Sequence, residues 1–193
     1  LLQLYRKELL FGTFAAVTTF VVFYLMTVFM LNWNTKELHF SNKEALLMQL
    51  FSVLFFAGFI PVSALIADKI GRRKMLLYAS IAIAIFGLFF SFFLNSGNTT
   101  LVTFFLCLGM ALMGFTYGPL GTFLSELFPT QVRYSGASLT FNLAGIFGAA
   151  FAPMIAIWLA TDYDISYVGY YLTGAALLSL GSLFMISRKS HQF

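Results

Sequence analysis

The sequence predicts an all-α membrane protein, a bundle of six transmembrane helices. Of its 193 residues, 60% are hydrophobic and only 9% are charged, and the mean hydropathy is +0.89. So few polar side chains cannot cover a water-soluble globule. The apolar residues fall into six runs, each long enough to cross a hydrocarbon core of about 30 Å as a helix. The runs lack the polar–apolar alternation of barrel strands, so helices are the structure that satisfies their backbone hydrogen bonds in lipid.

The six runs define one predicted transmembrane domain over residues 1–193. Their predicted bounds are 9–31, 45–67, 75–94, 101–124, 135–160 and 167–187. The connections at 68–74, 95–100 and 161–166 are short and contain Gly, Asn, Ser or Asp, as turns do. The longer connection at 32–44 contains Trp33, whose ring we expect at headgroup depth. Because the chain starts with leucine rather than methionine, we expect it to be a piece of a larger protein.

The basic residues predict the orientation of the helices. With six crossings, both termini and the second and fourth connections lie on one side. That side carries nine Lys and Arg residues, and the other carries two, Lys36 and Lys43. Because basic loops stay in the cytoplasm, both termini are predicted to be cytoplasmic. The nine residues are Arg6, Lys7, Lys69, Arg72, Arg73, Lys74, Arg133, Arg188 and Lys189.

The turn ADKIGRRK, residues 67–74, concentrates charge between two apolar runs. Gly71 permits backbone geometry that other residues resist. Asp68 can accept from N–H groups at the start of the next helix or pair with an arginine, and Arg72 and Arg73 can donate to carbonyls at helix C-termini. Such contacts would form a latch on the cytoplasmic side. The alternative is that the basic turn is a topology signal alone.

A second pair of charges lies on the same side. Glu126 is at the foot of the fourth run, and Arg133 comes just before the fifth, beside a turn at Pro129. The two can pair with each other or with the 67–74 turn. The alternative is that each extends separately into water at headgroup level.

Together these two stretches resemble a known family. The ADKIGRRK turn is similar to the signature loop of the major facilitator superfamily, G-x-x-x-D-x-x-G-R-R/K, although Ser63 and Ala64 stand where the first Gly is usual. Residues 117–156, YGPLGTFLSELFPTQVRYSGASLTFNLAGIFGAAFAPMIA, resemble the tenth and eleventh helices of its metabolite:proton symporters. The resemblance covers nearly the whole chain as a C-terminal half, helices seven to twelve. It implies a multi-pass protein of the bacterial inner (cytoplasmic) membrane and, as partner, an N-terminal six-helix half.

The interiors of the runs contain no Asp, Glu, Lys, Arg or His, although proton relays in membranes need such groups. By the resemblance, the proton carrier therefore belongs to the other half, and this half supplies a neutral wall to a central cavity. Asn142 is the strongest candidate, since a mid-membrane amide either bonds a neighbouring helix or faces a wet cavity. For the threonines, the alternative is a bond to their own helix. The candidates for the wall are Thr18, Thr19, Phe23, Tyr24, Thr27, Gln49, Tyr117 and Asn142.

Prolines within the apolar runs predict bends. Gly118 with Pro119 is placed for a gating bend in the fourth run, and Pro153 lies similarly in the fifth. For the glycines, the alternative is close helix packing.

The function that the resemblance implies is alternating-access transport, proton-coupled symport of a small organic acid or zwitterion. An uncoupled facilitator and a non-transporting scaffold remain as alternatives. An enzyme is disfavoured because His39 and His191 fall in a loop and the tail and no Cys/His/carboxylate cluster exists, so no metal and no cofactor are predicted. Nucleic-acid binding is disfavoured because basic loops on one side account for the net charge of +4.

Overall fold

In the computed structural model, residues 4–186 are described. Ser187, at the predicted end of the sixth run, and Arg188, Lys189 and His191 lie outside the described residues. Within this range the protein is all-α, which confirms the predicted fold class. The helices are α1 (Arg6–Lys36), α2 (Asn42–Ile70), α3 (Arg72–Gly87), α4 (Phe90–Leu94), α5 (Thr99–Glu126), α6 (Arg133–Asp162) and α7 (Ile165–Met185).

Five of these helices, α1, α2, α5, α6 and α7, are long and apolar enough to cross a membrane. The third run, predicted as one helix over 75–94, is instead divided into α3 and α4. At the break, the N–H groups of Leu88 and Phe89 donate to carbonyls three residues back, each at 3.1 Å, so the helix tightens there. Next to the break, Gly87 lies against α7, and a Cβ atom on it would be 2.6 Å from the carbonyl oxygen of Gly169.

Polar side chains start several of the helices. At α2, Ser41 and Glu44 form a reciprocal capping box, with the Ser41 N–H donating to Oε2 of Glu44 at 2.9 Å. Asn98 accepts from the first N–H groups of α5. Asp164 caps α7 by accepting from Ser166, and the hydrogen bonds from the Ser166 side chain and backbone lower the pKa of the Asp164 carboxyl.

Two of the long helices contain a π-helical turn. In α1 it covers Leu25–Phe29, and in α6 it covers Ile146–Ala150, followed by a bend at Phe151. The second turn lies against α1, where a Cβ atom on Gly148 would be 2.7 Å from the Val17 carbonyl oxygen. Such turns are rare and often mark functional sites.

The helices pack so that α2 lies along α5, α3 along α7, and α1 between α6 and α7. Aromatic rings fill the centre: Phe105 stacks on Phe86 at 4.4 Å and meets Phe90 edge to face at 4.9 Å between ring centroids. Burial differs sharply between the spans: in their most apolar stretches, 61% of α1 is buried but only 17% of α2 and 22% of α6. Both α2 and α6 therefore present large apolar faces with no neighbour among the described residues.

The ends of the bundle differ in charge. We call the end that carries Arg6, the 67–74 turn and Arg133 the basic end. We call the opposite end, which carries the connections at 37–41, 95–98 and 163–164, the far end.

Candidate functional site

Arg72 lies between two carboxylates at the basic end. Its Nη2 donates to Oδ1 of Asp68 at 3.3 Å, one turn back on α2, and its Nη1 pairs with Oε1 of Glu126 at the end of α5. The Arg72 and Glu126 side chains are each 33% exposed, whereas Asp68 is 63% exposed. The charges therefore link α2, α3 and α5 at one point. We call Asp68, Gly71, Arg72, Arg73 and Glu126 the basic-end cluster.

Gly71 and Arg73 complete this cluster. Gly71 ends α2 and starts α3 with φ of 96°, a backbone conformation that side chains strongly disfavour. Arg73 then reaches the last helix, donating from Nε to the Leu183 carbonyl at 2.7 Å and from Nη2 to the Phe184 carbonyl at 3.2 Å. A cation is well placed there because the carbonyls at a helix C-terminus carry partial negative charge. A cleft of about 770 Å³ is lined by the cluster and by Phe184 and Ile186.

Arg133, predicted to pair with Glu126 or with the 67–74 turn, lies at the start of α6. Its Nε donates to the Phe128 carbonyl oxygen at 3.3 Å. The structure thus places Arg133 against the turn that follows α5, while Glu126 pairs across to Arg72.

The predicted cavity residues divide by exposure. Asn142 is exposed, and its amide donates to the Ser138 carbonyl of its own helix at 2.8 Å. Tyr117 is 42% exposed, with its ring 5.5 Å from that of Phe56. Gln49 is half-buried, and its Nε2 has no hydrogen-bond partner among residues 4–186. Asn142 and Tyr117 are therefore open to a further partner, whereas the unpaired Gln49 donor is buried.

The candidates on α1 are more enclosed. Phe23 and Tyr24 are half-buried with their rings in contact at 5.2 Å, and Thr19 is buried. A ring contact of 4.9 Å between Phe20 and Phe141 joins α1 to α6 beside Thr19 and Asn142. Within the described part of the chain, no hydrogen bond or ring contact joins any two of Tyr24, Gln49, Tyr117 and Asn142.

The predicted bends lie in different surroundings. Pro119 is buried in α5, which continues without interruption from Thr99 to Glu126. Gly118 packs against α2, since a Cβ atom there would lie 2.6 Å from the Ile60 carbonyl oxygen. Pro153 is in the first turn that follows the π-helical segment and bend of α6.

Sequence reasoning missed a polar network between α1 and α7. The Thr18 hydroxyl, which has one hydrogen to donate, lies 2.9 Å from the Ala175 carbonyl oxygen and 2.7 Å from the Ser179 hydroxyl oxygen, and Ser179 donates to the Phe14 carbonyl at 2.7 Å. This network gives Thr18 a structural role, unlike the cavity role considered for it. Thr27 instead donates to the Phe23 carbonyl of its own helix. The missed signal was Ser179, a hydroxyl in the middle of an apolar run.

An all-helical bundle of apolar spans with one basic end defines the class of this protein, a multi-pass membrane protein. The Major Facilitator Superfamily model matches residues 9–192. The Inner membrane metabolite transport protein YhjE of Escherichia coli (strain K12) is 43% identical, over all of this chain and 45% of that protein. A Proline/betaine transporter of the same strain is 25% identical over 91% of this chain and 35% of its own length. A Citrate-proton symporter of Klebsiella pneumoniae is 27% identical over 93% of this chain and 41% of its own length.

This chain belongs to the Major Facilitator Superfamily, as the 67–74 turn and residues 117–156 predicted. It spans less than half the length of the curated relatives it matches. No solved structure matches it significantly.

Proposed function

We propose that this chain is the C-terminal half of a secondary active transporter of the bacterial inner membrane, which couples proton movement to symport of a small organic acid or zwitterion by alternating access. The observation that carries the proposal is the pair of apolar spans, α2 and α6, that the described residues leave largely uncovered. A second six-helix half would cover these faces and enclose a pathway between the two halves. The relatives' fuller length supports this arrangement.

The substrate class follows from what this half offers and from the relatives. Asn142, Tyr117 and Gln49 are uncharged polar groups with exposed surface or an unpaired donor, suited to hydrogen bonding a small polar solute. The titratable proton carrier and any cation that binds a carboxylate would come from the other half, since the apolar runs here contain no Asp, Glu, Lys, Arg or His. Two relatives support this substrate class by their names, the Proline/betaine transporter and the Citrate-proton symporter.

The basic-end cluster would act as the cytoplasmic latch of this transporter. Arg72 and Arg73 tie the start of α3 to α2, α5 and α7, so the cluster holds four helices at the end proposed to face the cytoplasm. Contacts of this kind stabilise one conformation of a rocking bundle and must loosen in the other. Gly118, Pro119 and Pro153 are the proposed bending points.

The test is uptake into proteoliposomes that contain the full-length protein, with a panel of small carboxylates and zwitterions. We expect one compound to accumulate when a proton gradient is imposed and to stop accumulating when a protonophore collapses it. Protein-free liposomes are the control. Uptake that ignores the gradient would favour the uncoupled facilitator, and no uptake of any compound would favour the scaffold. Residues 1–193 alone are expected not to transport, because the pathway needs its second wall.

A further inference from the structure

The middle of α6 leaves two backbone carbonyls without donors. The π-helical turn Ile146–Ala150 ends at a bend at Phe151. In a regular helix the Ala149 carbonyl would accept from the N–H four residues on, but that residue is Pro153, which has none. The bend separates the Ala150 carbonyl from the N–H groups that follow it. Within residues 4–186, no backbone or side-chain group donates to the carbonyl oxygens of Ala149 and Ala150.

These two carbonyls lie near the centre of the membrane span. α6 covers Arg133–Asp162, so Ala149 is about 24 Å from its start and Ala150 is about 18 Å from its end. Lipid offers no donor at this depth, and non-helical backbone is found there only where protein buries it or where it lines a water-filled cavity. Ala150 is exposed and Ala149 is half-buried. This half therefore does not bury them, and the space between the two halves must satisfy them.

The same face of α6 carries a third oxygen without a donor. Asn142 is exposed and precedes Ala150 by eight positions, about one α turn plus one wider π turn. Its amide nitrogen donates to Ser138, while no donor in the described part of the chain reaches its Oδ1. Permanent donors from the other half would fix the two halves to each other here, whereas alternating access requires them to move. A solute that binds and leaves is the partner that such a face of acceptors fits.

Aromatic rings on α1 lie along this face. Phe20 packs on the π-helical turn, since a Cβ atom on Gly148 would be 2.8 Å from the Cβ atom of Phe20. Phe23 and Tyr24 follow Phe20 by three and four positions, which places them on the same side of α1. Both rings are half-buried. Aromatic faces attract cations, so these rings add to the preference of the carbonyls for positive charge.

We propose that the carbonyl oxygens of Ala149 and Ala150, together with Oδ1 of Asn142, bind the positively charged nitrogen of the transported solute. This inference rests on the proposed transport function and narrows its substrates to zwitterions. The apolar runs contain no Asp or Glu, so backbone dipoles supply the negative charge, and the carbonyls that end the first part of α6 carry it. The carboxylate of the same solute is then bound by the other half.

Two matched pairs of compounds test the substrate class in proteoliposomes of the full-length protein. Proline is paired with cyclopentanecarboxylate, and glycine betaine with tert-butylacetate, in which carbon replaces the charged nitrogen. We expect a proton gradient to drive accumulation of proline or glycine betaine and of neither nitrogen-free acid. Equal accumulation within a pair, or accumulation of citrate alone, overturns the zwitterion assignment and leaves the transporter proposal standing. No accumulation of any compound overturns both.

A proline variant tests the carbonyls themselves. Pro153→Ala supplies an N–H for the Ala149 carbonyl, and Phe151, with φ of −97° and ψ of −20°, is already close to helical. The Kd of the accumulated zwitterion should rise about tenfold or more, because a hydrogen bond to a charged group is lost. Pro61→Ala, which supplies an N–H within the continuous helix α2, should leave the Kd unchanged. Equal Kd values for the two variants, both eluting as wild type by size exclusion, overturn the subsite.

A free metal cation is the other source of positive charge for these carbonyls. The melting temperature of the full-length protein is measured without solute in sodium chloride and in potassium chloride at equal ionic strength. We expect the two values to be equal. A higher value in sodium chloride that Pro153→Ala abolishes overturns the assignment to a solute nitrogen, because the carbonyls would then bind the metal ion.

Discussion

Arg72 at the start of α3 and Glu126 at the end of α5 form an ion pair across two helices, although 54 positions separate them in the chain. Arg72 also reaches Asp68, so one guanidinium serves two carboxylates. Asp68 lies on α2, the helix that precedes Arg72. Glu126 lies on α5, so its pair with Arg72 fixes the distance between α3 and α5.

Neutralising Glu126 should slow the transport cycle more than neutralising Asp68. Both pairs are partly exposed, and such pairs contribute at most about 1 kcal/mol, so Glu126→Gln should shift the balance between conformations by about fivefold or less. Asp68→Asn should have a smaller effect because Asp68 is more exposed. The measurement is the uptake rate and the substrate affinity in proteoliposomes. An affinity loss with normal turnover would contradict the latch role.

Adding a methyl group at Gly118 should destabilise the protein. The new Cβ of Gly118→Ala would press on Ser63 and on the Ile60 backbone, and overpacking of this kind costs about 1–3 kcal/mol. We expect the melting temperature of the purified protein to fall by about 3 °C or more, measured by size exclusion after heating. Gly121→Ala is the control on the same helix, since nothing lies within 4 Å of a Cβ atom there. Equal melting temperatures for the two variants would show that α2 and α5 are not held this closely.

The network between α1 and α7 should contribute measurably to stability. Thr18→Val removes the hydroxyl that hydrogen-bonds to α7, and interhelical hydrogen bonds in membranes average about 0.6 kcal/mol with a maximum near 1.7. We expect a melting temperature lower by a few degrees. In the matched variant Thr27→Val, the lost bond is within α1 alone, and the change should be smaller. A larger loss for Thr27→Val would refute the cross-linking role of Thr18.

Removing the Asn142 amide should weaken substrate binding without unfolding the protein. Asn142 is exposed and its hydrogen bonds are confined to Ser138 of its own helix, so Asn142→Ala disturbs no interhelical contact. Loss of one ligand hydrogen bond costs about 1 kcal/mol, about fivefold in affinity, measured by equilibrium binding to the full-length protein. Ser138→Ala is the control, because the Ser138 carbonyl that orients the amide remains. Unchanged affinity in Asn142→Ala would remove Asn142 from the site.

The membrane spans could be predicted from the sequence because each is a continuous apolar run. A run of that length crosses the hydrocarbon core as a helix. Membership of the superfamily was also predictable, since the turn around Gly71 and residues 117–156 are contiguous motifs. The partner of Arg73 could not be predicted, since the Leu183 carbonyl comes from a helix more than a hundred residues away. Every residue has a backbone carbonyl, so the sequence does not show which carbonyl accepts a hydrogen bond.

The break at Leu88 and the π-helical turns were missed for a different reason. No proline occurs at the break or within either π turn, although Pro153, three residues beyond the second π turn, predicted a bend in that run. The residues at these places are mostly apolar. Gly87 was the only local sign of the break, and its role depends on the close approach of Gly169 from α7. Composition therefore predicts that a segment crosses the membrane, while packing against neighbours decides whether its helix is regular.

The π-helical turn at Leu25–Phe29 also bears on how this protein tolerates insertions and deletions. A π turn closes its hydrogen bonds over one more residue than an α turn does, so it stores a surplus residue in the middle of α1. A deletion of one residue within 25–29 can be absorbed by converting the turn to regular α-helix, which leaves the faces of α1 on either side in place. The same deletion in the regular stretch of α5 would rotate everything beyond it by about 100°, carrying Gly114 and Gly118 away from α2. Length variation among related chains is therefore expected to concentrate at the π turns of α1 and α6.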